Sequence, residues 1–246
     1  MRGSIRVGVI GTGSIAQLTN AVLRSLEGVE VAFNFPARAM NAQTPVWESA
    51  DLVAICSANG LHVTHAMSAV KAGKHVVIEK PLALDVASGS LLLEEARRQG
   101  VNVSVIAQRR FEPSIVSAKE AISSGALGQP VLVECSLRWN RSAEYYASSP
   151  WRGTASLDGG VLFNQGIHLI DLARWLMGPV HSLHAFDGTL ARPIEAPDTC
   201  VAALRFESGA LGVVAMTVGS HTATPAELNL HFERGTIGLV ASLIVV

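Results

Sequence analysis

The chain has 246 residues, 49% of them hydrophobic and 16% charged, and its 19 basic and 20 acidic side chains leave a net charge of −1. This balance excludes a disordered chain, allows one large or two modest domains, and supplies no strong field for nucleic acid or an anionic membrane, so a small molecule is the expected partner. Cys56, Cys135 and Cys200 are widely spaced and odd in number, matching neither a disulfide framework nor a zinc pattern, which fits a reducing cytoplasm.

Residues 5–10 form a short β-branched run, 11–13 break it with glycine, and 15–26 place Ile15, Leu18, Val22 and Leu26 at helical intervals. A second strand is expected at 29–33 and a third at 51–56, apolar almost throughout, as a parallel strand covered on both faces should be. Residues 63–72 and 86–99 read as helices stopped by Gly73 and Gly100, with strands at 75–78 and 101–106. This alternation predicts an α/β fold with a doubly wound parallel sheet over residues 1–107. After Gln108 the texture changes to a helix at 113–124, a turn at 125–130 and a strand at 131–139. Residues 145–160 mix Tyr, Ser, Pro, Trp, Arg and Gly without a period and form a candidate active-site loop, before 161–177 return to helical spacing. Strands at 180–186, 199–206, 210–218, 227–232 and 236–240 predict an open, mainly antiparallel sheet, making residues 108–246 a second α/β domain. The apolar runs at 210–218 and 237–246 point to dimerisation through that sheet. The last of these is the most lipid-like segment, yet about half as long as a membrane-spanning helix requires, and the N-terminus shows no export signal.

Gly11-Thr12-Gly13-Ser14-Ile15-Ala16 is a G-x-G-x-x-A turn between a strand and a helix, where glycines let the backbone approach a pyrophosphate at the helix N-terminus. Gly11, Gly13, Ser14 and Ile15 are therefore candidate ligands of NAD or NADP. The acid that reads an NAD ribose should close the second strand, yet Phe33-Asn34-Phe35-Pro36-Ala37-Arg38 contains none. Arg38 is either a reader of a 2′-phosphate, which favours NADP, or a solvated surface arginine. Asn164, His168 and Asp171 fall at i, i+4 and i+7, the spacing of one helix face. Pairing His168 with Asp171, or His62 with His65, gives no third ligand at a diagnostic spacing, so no metal is expected.

Taken with the glycine turn, Ser57-Ala58-Asn59-Gly60-Leu61-His62, Ala72-Gly73-Lys74-His75-Val76, Glu79-Lys80-Pro81, Gln108-Arg109-Arg110-Phe111, Gly125-Ala126-Leu127-Gly128 and the stretch from Asp158-Gly159-Gly160 through Asn164-Gln165-Gly166-Ile167-His168 to Asp171 resemble the Gfo/Idh/MocA oxidoreductase family. The resemblance covers most of both halves. It implies a Rossmann domain joined to an open α/β domain, with nicotinamide and substrate meeting between them, and oxidation or reduction of a sugar-like alcohol. It also implies Ser57, Asn59, His62, Glu79 and Lys80 on the cofactor, Lys80 at the reacting hydroxyl and His168 as base or proton relay. Many members carry an acid where this chain has Asn164; an amide there would orient the substrate. Arg109 joins the substrate residues by the same resemblance.

Residues 145–154, Leu157-Asp158-Gly159-Gly160 and Asn164-Gln165 are further similar to the branch that oxidises nucleotide-linked N-acetylated uronic acids at the 3-hydroxyl. In that reading Arg152 pairs with a carboxylate or phosphate, Tyr145, Tyr146 or Trp151 flanks a sugar or uracil ring, and Gln165 lines the substrate. The competing reading of the aromatic loop is a dimer contact. The family fits a further strand and two helices between residues 33 and 51, so about 20 residues are missing there, and its chains continue past the position of residue 246. Two classes remain open: a cytoplasmic, dimeric or tetrameric NAD(P)-dependent sugar dehydrogenase, and a shortened homologue with impaired cofactor binding that serves in binding or assembly.

Overall fold

The computed structural model describes residues 4–40 and 45–241; residues 1–3, 41–44 and 242–246 lie outside that set, and with them the end of the apolar run at 237–246. The chain divides into two compact units, the first ending at Ile106 and the second beginning at Ala107.

The first unit runs β1 (Ile5–Ile10), α1 (Ser14–Ser25), β2 (Val29–Phe35), β3 (Leu52–Ile55), α2 (His62–Lys71), β4 (His75–Ile78), α3 (Val86–Gln99) and β5 (Val103–Val105). All strand pairs are parallel, in the order β2-β1-β3-β4-β5. Helix α3 starts where the Asp85 carboxylate accepts from the Ser88 N–H, and it stops at Gly100, whose φ of 67° suits a residue without Cβ. The apolar run of β3 is explained by burial on both faces. Val53 and Ile55 pack with Ala66, Ala69, Val70, Leu92 and Ala96 of α2 and α3, while Ala54 and Cys56 pack with Val7, Val9 and Ala16 on the opposite side.

In the usual dinucleotide-binding order, 3-2-1-4-5-6, one strand lies outside β2. Here β2 is the edge, and the described part of the connection to β3 forms only two 3₁₀ turns, Ala37–Ala39 and Pro45–Ser49. Trp47 of the second turn is 7% exposed and meets Phe33 edge-on, with ring centroids 6.5 Å apart. Phe33 in turn covers Gly8, where an added Cβ would lie 2.0 Å from the ring. The short connection is thus pinned to the sheet by an aromatic pair that needs a glycine beneath it.

The second unit contains α4 (Pro113–Ser123), β6 (Pro130–Arg138), α5 (Ala143–Ala147), α6 (Ile167–Met177), β7 (Val180–Gly188), β8 (Thr199–Phe206), β9 (Leu211–Thr217), β10 (Ala226–Phe232) and β11 (Gly235–Ala241). Its six strands lie in the order β11-β10-β6-β9-β8-β7, antiparallel except for the β6–β9 pair. One face packs under α4 and α6, with Leu169, Leu172 and Leu176 set against Val133, Leu137, Phe206, Leu228 and Leu230. Outside that core, Phe186, Val201, Leu211 and Val213 remain 41–69% exposed. The expected loop at 145–160 begins inside a short helix, α5, whose N-cap Ser142 accepts from the Tyr145 N–H. The expected helix at 161–177 opens with a π-helical turn, Leu162–Gly166, so its first turn does not keep α register. Among the described residues no helix is long and apolar enough to cross a membrane.

Candidate active site

The two motif glycines do different work. Gly11 has a φ of 132°, its N–H donates to the Phe35 carbonyl at 2.9 Å, and a Cβ there would lie 2.4 Å from the Cys56 carbonyl oxygen. It lets β1 and β3 converge. Gly13 caps α1 at an ordinary φ of −73°, with no side-chain cap, no acid in the first turn and nothing within 4 Å of an added Cβ. Uncapped N–H groups facing open space suit an anion, so this turn fits the pyrophosphate of a dinucleotide. Ser14 and Ile15 open the helix, and Arg38 is exposed on the 3₁₀ turn that follows β2.

At the C-terminal ends of β3 and β4, the edge where open α/β sheets bind ligands, the structure gathers Ser57, Asn59, Glu79 and Lys80. The Lys80–Pro81 bond is cis. His62 is 1% exposed, with Nδ1 2.7 Å from the Pro81 carbonyl oxygen and Nε2 3.0 Å from that of Ser57. It therefore ties the end of β3 to the Lys80–Pro81 turn, and its ring is enclosed instead of being presented to a dinucleotide. Burial pulls its pKa down while the two carbonyls pull it back up, and a neutral ring can donate to only one of them. His65 places Nδ1 2.9 Å from Ser57 Oγ, and its pKa is lowered by burial and then by His62. Burial raises the Glu79 pKa against the opposing pull of Lys80.

In the second unit, buried Asp158 accepts from the Gly153 N–H at 2.6 Å and from Asn164 Nδ2 at 2.5 Å. Asn164 Nδ2 lies 3.5 Å and Gln165 Nε2 3.4 Å from the Tyr145 hydroxyl. A buried carboxylate thus fixes the Asn164 amide. Asp171 makes a forked pair with Arg110, at 2.8 and 2.5 Å, which raises the Arg110 pKa. Asn164 sits in the π turn, and His168 and Asp171 follow it on α6. Arg109 has an 11% exposed side chain 3.5 Å from Glu112. The guanidinium of Arg152 stacks over Tyr145 and Trp151, and burial pushes the Tyr146 hydroxyl up to about 12.

Sequence reasoning did not assign roles to Asp158 or Asp198. Fully buried Asp198 accepts from the Leu190, Ala191 and Arg192 N–H groups and from Thr199 Oγ1, shaping the loop after β7. The only signal in the chain was the Asp158-Gly159-Gly160 turn, and a turn does not disclose that its carboxylate is buried. Among the described residues no three His, Cys, Asp or Glu side chains gather as a metal site.

Two family models match: the oxidoreductase-family NAD-binding Rossmann fold of GFO/IDH/MocA over residues 5–107, and the GFO/IDH/MocA C-terminal domain over residues 115–238. The chain is 29% identical over 237 residues to the myo-inositol 2-dehydrogenase of Thermotoga maritima, covering 85% of this chain and 67% of that protein. It is 32% identical over 195 residues to inositol 2-dehydrogenase 2 of Saccharopolyspora erythraea, covering 77% and 54%. The crystal structure of the WlbA dehydrogenase from Bordetella pertussis, solved with NADH and UDP-GlcNAcA, matches with a TM-score of 0.91 and 30% identity over 98% of this chain and 75% of that one. A parallel sheet with an open glycine turn, followed by a mainly antiparallel sheet, defines a nicotinamide-type oxidoreductase architecture. The chain belongs to the GFO/IDH/MocA oxidoreductase family, and its first unit is the NAD-binding Rossmann fold of that family. It spans between about one third and two thirds of the length of the curated relatives it matches.

Proposed function

We propose that this protein moves a hydride between NAD or NADP and a secondary alcohol of a sugar, with a nucleotide-linked sugar acid as its preferred substrate. The open, uncapped turn at Gly13 carries this reading, because it is the feature that hydride chemistry cannot do without. Gly11, Gly13, Ser14 and Ile15 hold the pyrophosphate, Ser57, Asn59, Glu79 and Lys80 line the nicotinamide side, and Arg38 meets a 2′-phosphate. The bound nicotinamide supplies the hydride acceptor. Lys80 donates a hydrogen bond to the substrate oxygen and favours its developing alkoxide charge, while His168 takes the hydroxyl proton as the hydride leaves carbon. Asn164, held by Asp158, orients the alcohol. Arg109, Tyr146, Trp151, Arg152 and Gln165 shape the substrate side. His62 serves by bracing the Lys80–Pro81 turn.

The substrate preference is supported by the 30% identity to a dehydrogenase solved with UDP-GlcNAcA, and sugar alcohols such as myo-inositol are the competing substrates suggested by the inositol dehydrogenases. The exposed Phe186, Val201, Leu211 and Val213 support a homo-oligomer through the second sheet, which light scattering showing a monomer would remove. The absence of a strand outside β2 among the described residues favours a second reading, in which the chain binds or assembles without turnover. Fluorescence titration with NADH and NADPH separates the two, followed by cofactor reduction with UDP-GlcNAcA or myo-inositol. His168→Asn and Lys80→Met are expected to lower turnover about 10²–10⁴-fold with cofactor affinity kept. Parental rates in both variants, with hydride transfer limiting, would remove these residues from the chemistry.

A further inference from the structure

Three partly buried arginines of the second unit, Arg141, Arg152 and Arg192, each carry a buried Nε with no hydrogen-bond partner. The guanidinium carbons of Arg141 and Arg152 lie 4.4 and 4.1 Å from the centroid of the same Tyr145 ring, and each also stacks on a tryptophan, Trp139 and Trp151 respectively. Arg192 donates to Asn140 Oδ1 at 2.6 Å, beside Arg141 in the chain, and its charge acts on the Tyr146 hydroxyl. No ion pair joins any of the three to a carboxylate among the described residues. The Nε atoms of all three are buried and without a hydrogen-bond partner.

The nearby carboxylates are engaged elsewhere. Asp198 is occupied by three backbone N–H groups and Thr199, Asp158 accepts from Gly153 and Asn164, and Glu195 accepts from the Ala155 N–H. Two like charges sharing one aromatic ring repel each other, and a ring quadrupole is a weak counterweight. The loops that carry them are nonetheless locked together: the Glu195 and Ala196 N–H groups both donate to the Gly153 carbonyl at 2.9 Å. Preformed, uncompensated positive charge with orphaned donors is the arrangement that an oxyanion completes.

We propose that Arg141, Arg152 and Arg192 form a cradle for the diphosphate of a nucleotide-linked substrate, with Tyr145 as the spacer that holds two of the guanidinium groups apart. A single carboxylate has two oxygens and fills one guanidinium fork, whereas a diphosphate offers enough oxygens for three. This deepens the nucleotide-sugar reading of the same loop and rests on it for the identity of the ligand.

The test is calorimetric titration of the full chain with UDP and with inorganic pyrophosphate, in saturating NADH so that the glycine turn is occupied. Arg141→Ala and Arg192→Ala are each expected to weaken UDP at least tenfold while the NADH titration stays at the parental value. Arg141→Lys, which keeps charge but not the fork, should fall between, and thermal unfolding reports whether each variant is folded. Parental UDP affinity in a folded Arg141→Ala, Arg192→Ala double variant would overturn the proposal. So would glucuronate competing as well as UDP, because the arginines would then be reading a sugar carboxylate. If NADH does not bind, UDP is titrated against the Gly13→Ala variant; arginine-dependent binding there sustains the cradle even though the oxidoreductase reading fails. Turnover of free sugars by a protein that binds neither UDP nor pyrophosphate would sink the cradle alone.

Discussion

Replacing Gly11 and Gly13 separately by alanine separates folding from cofactor binding within one motif. At Gly11 the backbone holds a φ of 132°, a region nearly restricted to glycine, and the new methyl would lie 2.4 Å from the Cys56 carbonyl oxygen. That oxygen cannot retreat cheaply, because the Cys56 N–H is bound to Ile10 at 2.8 Å and β3 is packed on both faces. Strained backbone conformations cost about 1–3 kcal/mol each, and overpacking adds about 1–3 kcal/mol, so Gly11→Ala should lose roughly 2–6 kcal/mol of stability. At Gly13 the φ is −73° and the methyl meets nothing within 4 Å. The restricted unfolded chain gains about 0.4–1 kcal/mol, which offsets a slightly poorer N-cap, so the net change should be near zero. The methyl does occupy the space where a pyrophosphate would approach, and NADH affinity should fall at least tenfold. Urea unfolding of both variants and NADH titration of Gly13→Ala supply the measurements. Equal stability losses in the two variants, or unchanged NADH affinity in Gly13→Ala, would refute the division of labour.

Trp47→Ala should cost about 3–5 kcal/mol, the usual penalty for emptying a buried aromatic site, because Trp47 is 7% exposed and paired with Phe33; a loss below 1 kcal/mol in chemical unfolding would mean that the short connection does not anchor β2. Arg38→Ala should weaken NADPH more than NADH in parallel titrations, and equal losses would reject a 2′-phosphate role. The pKa values of His62 and His65 are both lowered by burial from the ordinary 6.5, so the unfolded chain takes up protons that the native state refuses. Their contribution to stability is complete above 6.5 and is lost as the pH falls below it; unfolding measured between pH 7.5 and 5 should show this loss, with a shallower slope in His65→Asn. An unchanged slope in that variant would remove His65 from the linkage.

The amino-acid order alone sets the β–α alternation of the first unit, the strand-rich second unit and the glycine turn, because each is written in local periodicity and in residues whose backbone freedom is intrinsic. The apolar run that became β3 and the glycines that end α2 and α3 are examples. It also disclosed the absence of an acid after β2 and the shortness of the link to β3. The pairing of polar side chains is settled by long-range packing. Arg110 and Asp171 stand 61 positions apart, and their forked pair occupies both oxygens of the Asp171 carboxylate. The π turn at Leu162–Gly166 changed the register that an α-helical spacing rule assumes. The fixing of Asn164 by a buried Asp158, the enclosure of His62 between two carbonyls and the two cations sharing Tyr145 all depend on burial and on the approach of loops distant in sequence. Periodicity records which face of an element is apolar. It carries no information about which loop arrives to meet a charge, since that is settled by packing of the whole unit.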